Sequence, residues 1–239
     1  MAKKKLAKET KSKKYFLTHS TSSSMDDGTR DLFPSRPYII SGGKVTERYY
    51  FFNISKETDN KFKVLPEFFG KESNFVQEFP KSIKKILRYD DTAKIFCVYD
   101  WDTIYENKTN KAKYDCFVKQ IQPYIDAGNV VLCPSMPSFE YWFLLHFKNS
   151  TRLMKTCEEM AKALKPYMMS YFSKGDVDLF KVLKNHQHME NSTWVRNLCA
   201  DGKLDMAIKR AEKNIKTANI NGVLKEQSYT YVYQVFKKD

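Results

Sequence analysis

Two aspartates one residue apart close the apolar run Ala93-Lys-Ile-Phe-Cys-Val-Tyr-Asp-Trp-Asp102. A continuous run such as Ile95-Phe-Cys-Val-Tyr99 suits a strand covered on both faces, as in a parallel α/β sheet, better than a half-exposed strand. Side chains alternate along a strand, so Asp100 and Asp102 are expected on one side and Trp101 on the other. Two carboxylates on one side can share a hard cation. Magnesium and manganese prefer oxygen ligands and keep several waters, so a third ligand and a substrate phosphate would complete the shell. Open α/β sheets place ligands beyond the carboxyl ends of their strands, where these acids fall. The competing structural reading is a pair of acids that ends a strand and faces water.

A third carboxylate comes from the segment that reads as the first strand and its exit. Pro37-Tyr-Ile-Ile-Ser41 is followed by Gly42-Gly43 and by a helix opening at Thr46-Glu47. Paired glycines permit a tight turn and close approach of backbone to a ligand. Thr46 is a candidate cap. Glu47 is either a favourable first-turn charge or a carboxylate facing Asp100 and Asp102. Lys44 and Arg48 beside it, and Lys174 further on, are candidate phosphate contacts.

The second informative stretch is Pro134-Ser-Met-Pro-Ser-Phe-Glu-Tyr-Trp-Phe-Leu-Leu-His-Phe147. Ser135 or Ser138 is a candidate cap for a helix apolar nearly all round, and such a helix belongs in a core. Glu140 is its odd residue. A carboxylate there needs a cation, a metal or a strong hydrogen bond, or must take up a proton. That leaves a structural ion pair and a catalytic role both open. His146 reads more readily as a core histidine than as a ligand. His186-Gln-His188 has no acid or cysteine at useful spacing and is set aside.

The elements that position these residues follow from pattern. A short strand is expected at residues 61–65 and a helix at 73–88, bent or broken by Pro80. Residues 107–110 read as a polar lip, residues 114–125 as a helix broken near Pro123, and residues 130–133 as a strand. Beyond Lys148 the pattern is mainly helical, and residues 227–236 read as a closing strand or a short helix.

The chain has 239 residues, enough for a substantial core, with 42% hydrophobic and 15% aromatic residues. Its net charge of +13 favours a polyanionic partner such as nucleic acid. Residues 1–14 contribute +6 (seven lysines against Glu9), leaving +7 elsewhere, so the attraction does not rest on the amino terminus alone. Residues 1–35 read as a basic, mobile arm. The five cysteines form no Cys-x-x-Cys, which argues against a zinc knuckle or disulfide framework. No apolar run reaches the roughly 18 to 20 residues of a membrane span, and no secretory signal is evident, so a cytoplasmic protein without membrane attachment is expected.

Gly42-Gly-Lys-Val-Thr-Glu-Arg-Tyr-Tyr-Phe51, Val98-Tyr-Asp-Trp-Asp102 and Ser135-Met-Pro-Ser-Phe-Glu-Tyr-Trp-Phe-Leu-Leu-His-Phe147 together resemble the RloB-like family of bacterial phage-defence proteins. Tyr171-x-x-Lys174, Ala207-Ile-Lys-Arg-Ala211 and Ser228-Tyr-Thr-Tyr-Val-Tyr233 fit the same pattern. The resemblance implies a Toprim-like α/β core, placed at residues 36–148, with a mainly helical portion packed on it at 149–239. It also implies a magnesium-dependent nuclease of the abortive-infection type with an SMC- or ABC-like ATPase partner, and leaves homo-oligomers open. By position, Asp100 and Asp102 match the family's paired metal-binding acids and Glu47 the second glutamate of a Glu-Gly-x-x-Thr-Glu motif. Glu140, Trp142 and His146 match its later signature. The first motif glutamate falls at Gly42, with Gly43 matching the next position. The alternative is therefore a catalytically degenerate module that binds nucleic acid or nucleotide and regulates the ATPase.

Overall fold

The computed structural model describes residues 36–65, 75–105, 108–172 and 178–237. Arg36–Asp239 cluster as one compact unit. The arm assigned to residues 1–35, Asn107 and Lys174 lie outside the described residues.

Five strands form one sheet: β1 (Tyr38–Ser41), β2 (Lys63–Leu65), β3 (Ile95–Asp100), β4 (Val130–Met136) and β5 (Tyr229–Thr230), in the order β2-β1-β3-β4-β5. The first four are parallel and β5 is antiparallel to β4. Helix α1 (Thr46–Glu57) joins β1 to β2, and α2 (Phe75–Tyr89) returns the chain to β3 on the other side of β1. Helices α3 (Asp102–Tyr105) and α4 (Lys108–Asp126) lead to β4. This makes an α/β sheet with its switch point between β1 and β3, where the carboxyl ends of neighbouring strands open a crevice.

Both faces of the sheet are covered, and alternation along the strands divides the core. Ile39, Phe96, Val98 and Cys133 pack with Tyr50, Phe51 and Ile54 of α1 and with Phe139 and Phe143. Ile40, Ile95, Cys97 and Tyr99 pack with Ile83 and Ile86 of α2 and Phe117 and Ile121 of α4. The doubly covered strand expected at Ile95–Tyr99 is therefore present, every one of its residues buried. Helix α5 (Glu140–Phe147) is buried from Glu140 to His146 because α6 (Cys157–Met168) and α10 (Lys203–Asn221) close around it. Helices α7 (Leu179–Leu183), α8 (His186–Glu190) and α9 (Thr193–Cys199) complete the helical part. None of the described helices is long and apolar enough to cross a membrane.

Several local expectations need correction. Strand β3 ends at Asp100, and Asp102 opens α3, so strand alternation does not relate the two aspartates. Lys108–Asn110 are helical rather than a lip, and α4 continues through Pro123 near its carboxyl end, where a proline removes a single helical donor. Helix α2 likewise continues through Pro80. Strand β4 extends to Met136 because β5 pairs with its last residues. Residues 227–236 hold both expected forms, the short strand β5 and a 3₁₀ turn at Val232–Phe236. Neither serine caps α5, and Thr46 is the first helical residue of α1 rather than its cap.

Candidate functional site

The polar cluster begins where β1 exits. Ser41 donates to the Gly43 carbonyl at 3.0 Å, tightening the turn. Glu47, in the first turn of α1, folds its carboxylate back over that turn and accepts from the backbone N–H groups of Gly43 and of Glu47 itself. It is only 2% exposed, and its Oε2 has no hydrogen-bond partner. A Cβ added to Gly43 would lie 1.7 Å from Glu47 Oε2, so the glycine is required by the carboxylate that rests on it. Gly43→Ala is expected to expel the Glu47 carboxylate, weakening any cation binding at the cluster by tenfold or more while costing about 1–3 kcal/mol of stability. Calorimetric titration with manganese and a thermal melt check both parts.

Asp100 stands at the end of β3, partly buried, and its Oδ1 accepts the Phe139 N–H at 2.8 Å. This side chain, rather than Ser135 or Ser138, satisfies the amino-terminal end of α5, where a negative charge also meets the positive end of the helix dipole. Ser135 pairs with Thr230 at 2.7 Å, while Ser138 Oγ is buried without a partner. Glu140 opens α5 at 1% exposure, its Oε1 accepting from Lys184 Nζ at 3.2 Å and its Oε2 unpartnered.

Lys184 was not among the residues singled out by sequence. It caps the carboxyl end of α7, and Thr46 Oγ1 donates to the neighbouring Leu183 carbonyl at 2.8 Å, tying that end to the start of α1. The Lys184 side chain is 41% exposed, so its stem reaches in from solvent while its ammonium meets Glu140. Burial opposes that charge, but Glu140, Glu47 and Asp100 together outweigh it and raise the lysine's pKa.

The electrostatics follow from this packing. Burial raises the Glu47 carboxyl pKa, with Lys184 opposing and Glu140 adding to the rise. Asp100 is pushed well above the usual carboxylate range by burial, then by the charges of Glu47 and Glu140, with Asp102 a smaller contributor and Lys184 opposing. Fully ionised, Glu47, Asp100, Glu140 and Lys184 would carry a formal charge of −2. Two protons or one divalent cation would balance it. The donor chemistry fits a hard cation, with unpartnered oxygens on both glutamates. As placed, no three acid, histidine or cysteine side chains among the described residues converge on one ion position.

The remaining candidates separate clearly. Asp102 lies half-buried at the rim, close enough to influence Asp100. Lys44 is exposed on the glycine turn and Arg48 is half-buried on α1. Trp142 is a core residue, donating to the Tyr50 hydroxyl at 2.8 Å and stacking on Phe236. His146 bonds the Trp142 carbonyl through Nδ1 at 3.0 Å, and burial drives its pKa down to about 3. It is therefore neutral near pH 7. All five cysteines are free, with Cys97 and Cys133 buried in the sheet.

A family model described as RloB-like protein matches residues 38–238. No curated protein and no solved structure matches. The matched span takes in the glycine turn, the end of β3, the buried helix α5 and Lys184, and the chain belongs to the RloB-like family.

Proposed function

We propose that this protein is a metal-dependent nuclease acting on cellular nucleic acid in bacterial defence against phage. The observation that carries the reading is the group of acids Glu47, Asp100 and Glu140 at the sheet's switch point, with Lys184 as their counter-charge. Glu47, Asp100 and Glu140 would hold magnesium or manganese, with Asp102 at the rim. The ion would activate water and neutralise charge developing on the phosphate. Lys44 and Arg48 would draw the phosphodiester backbone toward the cluster, and Lys184 would keep the carboxylates from repelling it. An SMC- or ABC-like ATPase partner would restrain or release this activity, and co-purification of the natively expressed protein would reveal it.

The test joins two readouts on one preparation. Calorimetric titration with magnesium and manganese is expected to show binding, and homogeneous protein is expected to cleave plasmid, single-stranded DNA or tRNA only when the ion is present. Metal binding without turnover on all three would overturn the nuclease reading.

Gly42, standing where the resembled motif has a glutamate, motivates a second reading, a degenerate module that binds nucleic acid and regulates its partner. A Cβ on Gly42 would meet the Tyr99 Cβ at 3.3 Å. Tyr99 bonds Tyr114 of α4, whereas Asp100 turns to α5 on the opposite face. A side chain at position 42 therefore starts on the side of the sheet away from the three acids. Gly42→Glu is accordingly expected to leave cleavage unchanged or lower it. A gain of tenfold or more in the same assay would support degeneration at this position.

A further inference from the structure

At the carboxyl edge of β3 and β4 lies a cavity of about 280 Å³ lined by Trp101, Ile104, Lys111, Met136, Leu224, Lys225 and Tyr229. Trp101 sits between Asp100 and Asp102 in the chain, its Cα about 3.8 Å from that of either neighbour. Its amide donates to the Ser135 carbonyl at 2.8 Å, fixing the start of the wall against β4. Tyr229 is paired with Met136 at the end of the same strand. The cavity therefore lies at the carboxyl edge of β3 and β4, its Trp101 wall one residue along the chain from Asp100 and Asp102.

Its lining is apolar and aromatic apart from Lys111 on α4 and Lys225 on a 3₁₀ turn, both exposed, and no described lining residue is acidic. A ligand matched to such a site has a flat, weakly polar body and a negative group. We infer that the cavity receives one nucleobase of a single-stranded nucleic acid, with Lys111 and Lys225 on its phosphates. Aromatic walls bind bases through their faces without needing a particular sequence. Seated there, the base brings a neighbouring phosphodiester to Asp100 and Asp102. This deepens the nuclease reading and rests on it for the fate of that phosphate, but binding of the base is separable from cleavage.

Fluorescence makes the separation practical. Of the three tryptophans, Trp142 and Trp194 are buried at 0% and 1% exposure, leaving half-buried Trp101 to report on a ligand. In EDTA, a single-stranded thymidylate oligonucleotide is expected to quench wild-type emission saturably, and Trp101→Phe is expected to remove that quenching. A strand of abasic sugar-phosphate units, equal in charge, is expected to bind at least about tenfold more weakly. Lys111→Glu with Lys225→Glu, both exposed positions, is expected to weaken the base-bearing strand by a similar factor with the circular dichroism spectrum unchanged. Thymidine monophosphate binding as tightly as the strand would overturn the single-stranded ligand in favour of a free nucleotide. Equal affinity for base-bearing and abasic strands, without Trp101 quenching, would overturn the cavity's role even in a protein that cleaves. Base-dependent quenching in a protein that never cleaves would uphold the cavity and remove the nuclease.

Discussion

Replacing Asp100 by asparagine is expected to reduce metal-dependent cleavage at least about 100-fold while raising the melting temperature of the metal-free protein. The two effects share one cause. Asp100 is pushed well above the usual carboxylate range by burial and by Glu47 and Glu140, which means its charge is opposed by its surroundings. Asparagine keeps an Oδ1 that can still accept the Phe139 N–H, so the end of α5 remains satisfied. Only the charge is lost. The pH dependence follows with a definite sign. Glu47 and Asp100 both titrate above their unfolded values, so between the unfolded and raised values the folded chain holds more protons. Stability of the metal-free protein then falls as pH rises through the raised values. Asp100→Asn removes one of these groups, so its stability should fall less steeply. Melting curves in EDTA from about pH 5 to about pH 8, compared between wild type and variant, isolate this difference from the protein's other titrations. Undiminished cleavage by Asp100→Asn, at equal purity and metal concentration, would remove Asp100 from the catalytic site. A lower melting temperature for the variant in EDTA would mean that α5 depends on the full negative charge at its end.

Parts of this arrangement are legible in sequence because they need only local information. Ile95–Tyr99 is apolar without alternation because both faces of β3 are covered, and α5 is apolar all round because helices close over it. Glu140 announces its need for a cation by lying inside that run. The cation itself is hidden: Lys184 is one of 41 lysines and arginines and stands 44 residues away. Nothing near it in the chain distinguishes it, since its position depends on the Thr46 bond that joins α7 to α1. The cap of α5 is hidden for the same reason, because Asp100 reaches Phe139 across 39 residues and displaces the nearby serines from that role. Strand alternation misplaces Asp102 because the strand stops at Asp100, a boundary fixed by the turn into α3 rather than by residue type.

Substituting Lys184 by methionine is expected to destabilise the metal-free protein at neutral pH and to make it more responsive to divalent cations. Methionine can retain much of the stem's packing but removes the ammonium that pairs with the Glu140 carboxylate, which is 1% exposed. Breaking a fully buried pair typically costs about 3–5 kcal/mol, because the remaining charge is stranded. Lys184 is 41% exposed, which lets water screen the pair, so a smaller loss of about 1–3 kcal/mol is expected. For a chain of this size that corresponds to a fall of several degrees in melting temperature. The loss should shrink toward about pH 5 as Glu47 and Asp100, both raised above their ordinary values, take up protons, and Lys184→Arg should restore most of it. With the lysine absent, Glu47, Asp100 and Glu140 carry one more uncompensated charge, so magnesium or manganese should raise the variant's melting temperature more than that of wild type. Equal stability of wild type and Lys184→Met in EDTA across this pH range would show that the acids do not depend on the lysine. A destabilised variant that gains no extra stability from either ion would keep Lys184 as a structural counter-charge and remove the cluster as a cation site. Because this comparison reads binding through folding rather than turnover, it tests the charge balance of the cluster even in a protein that cleaves nothing.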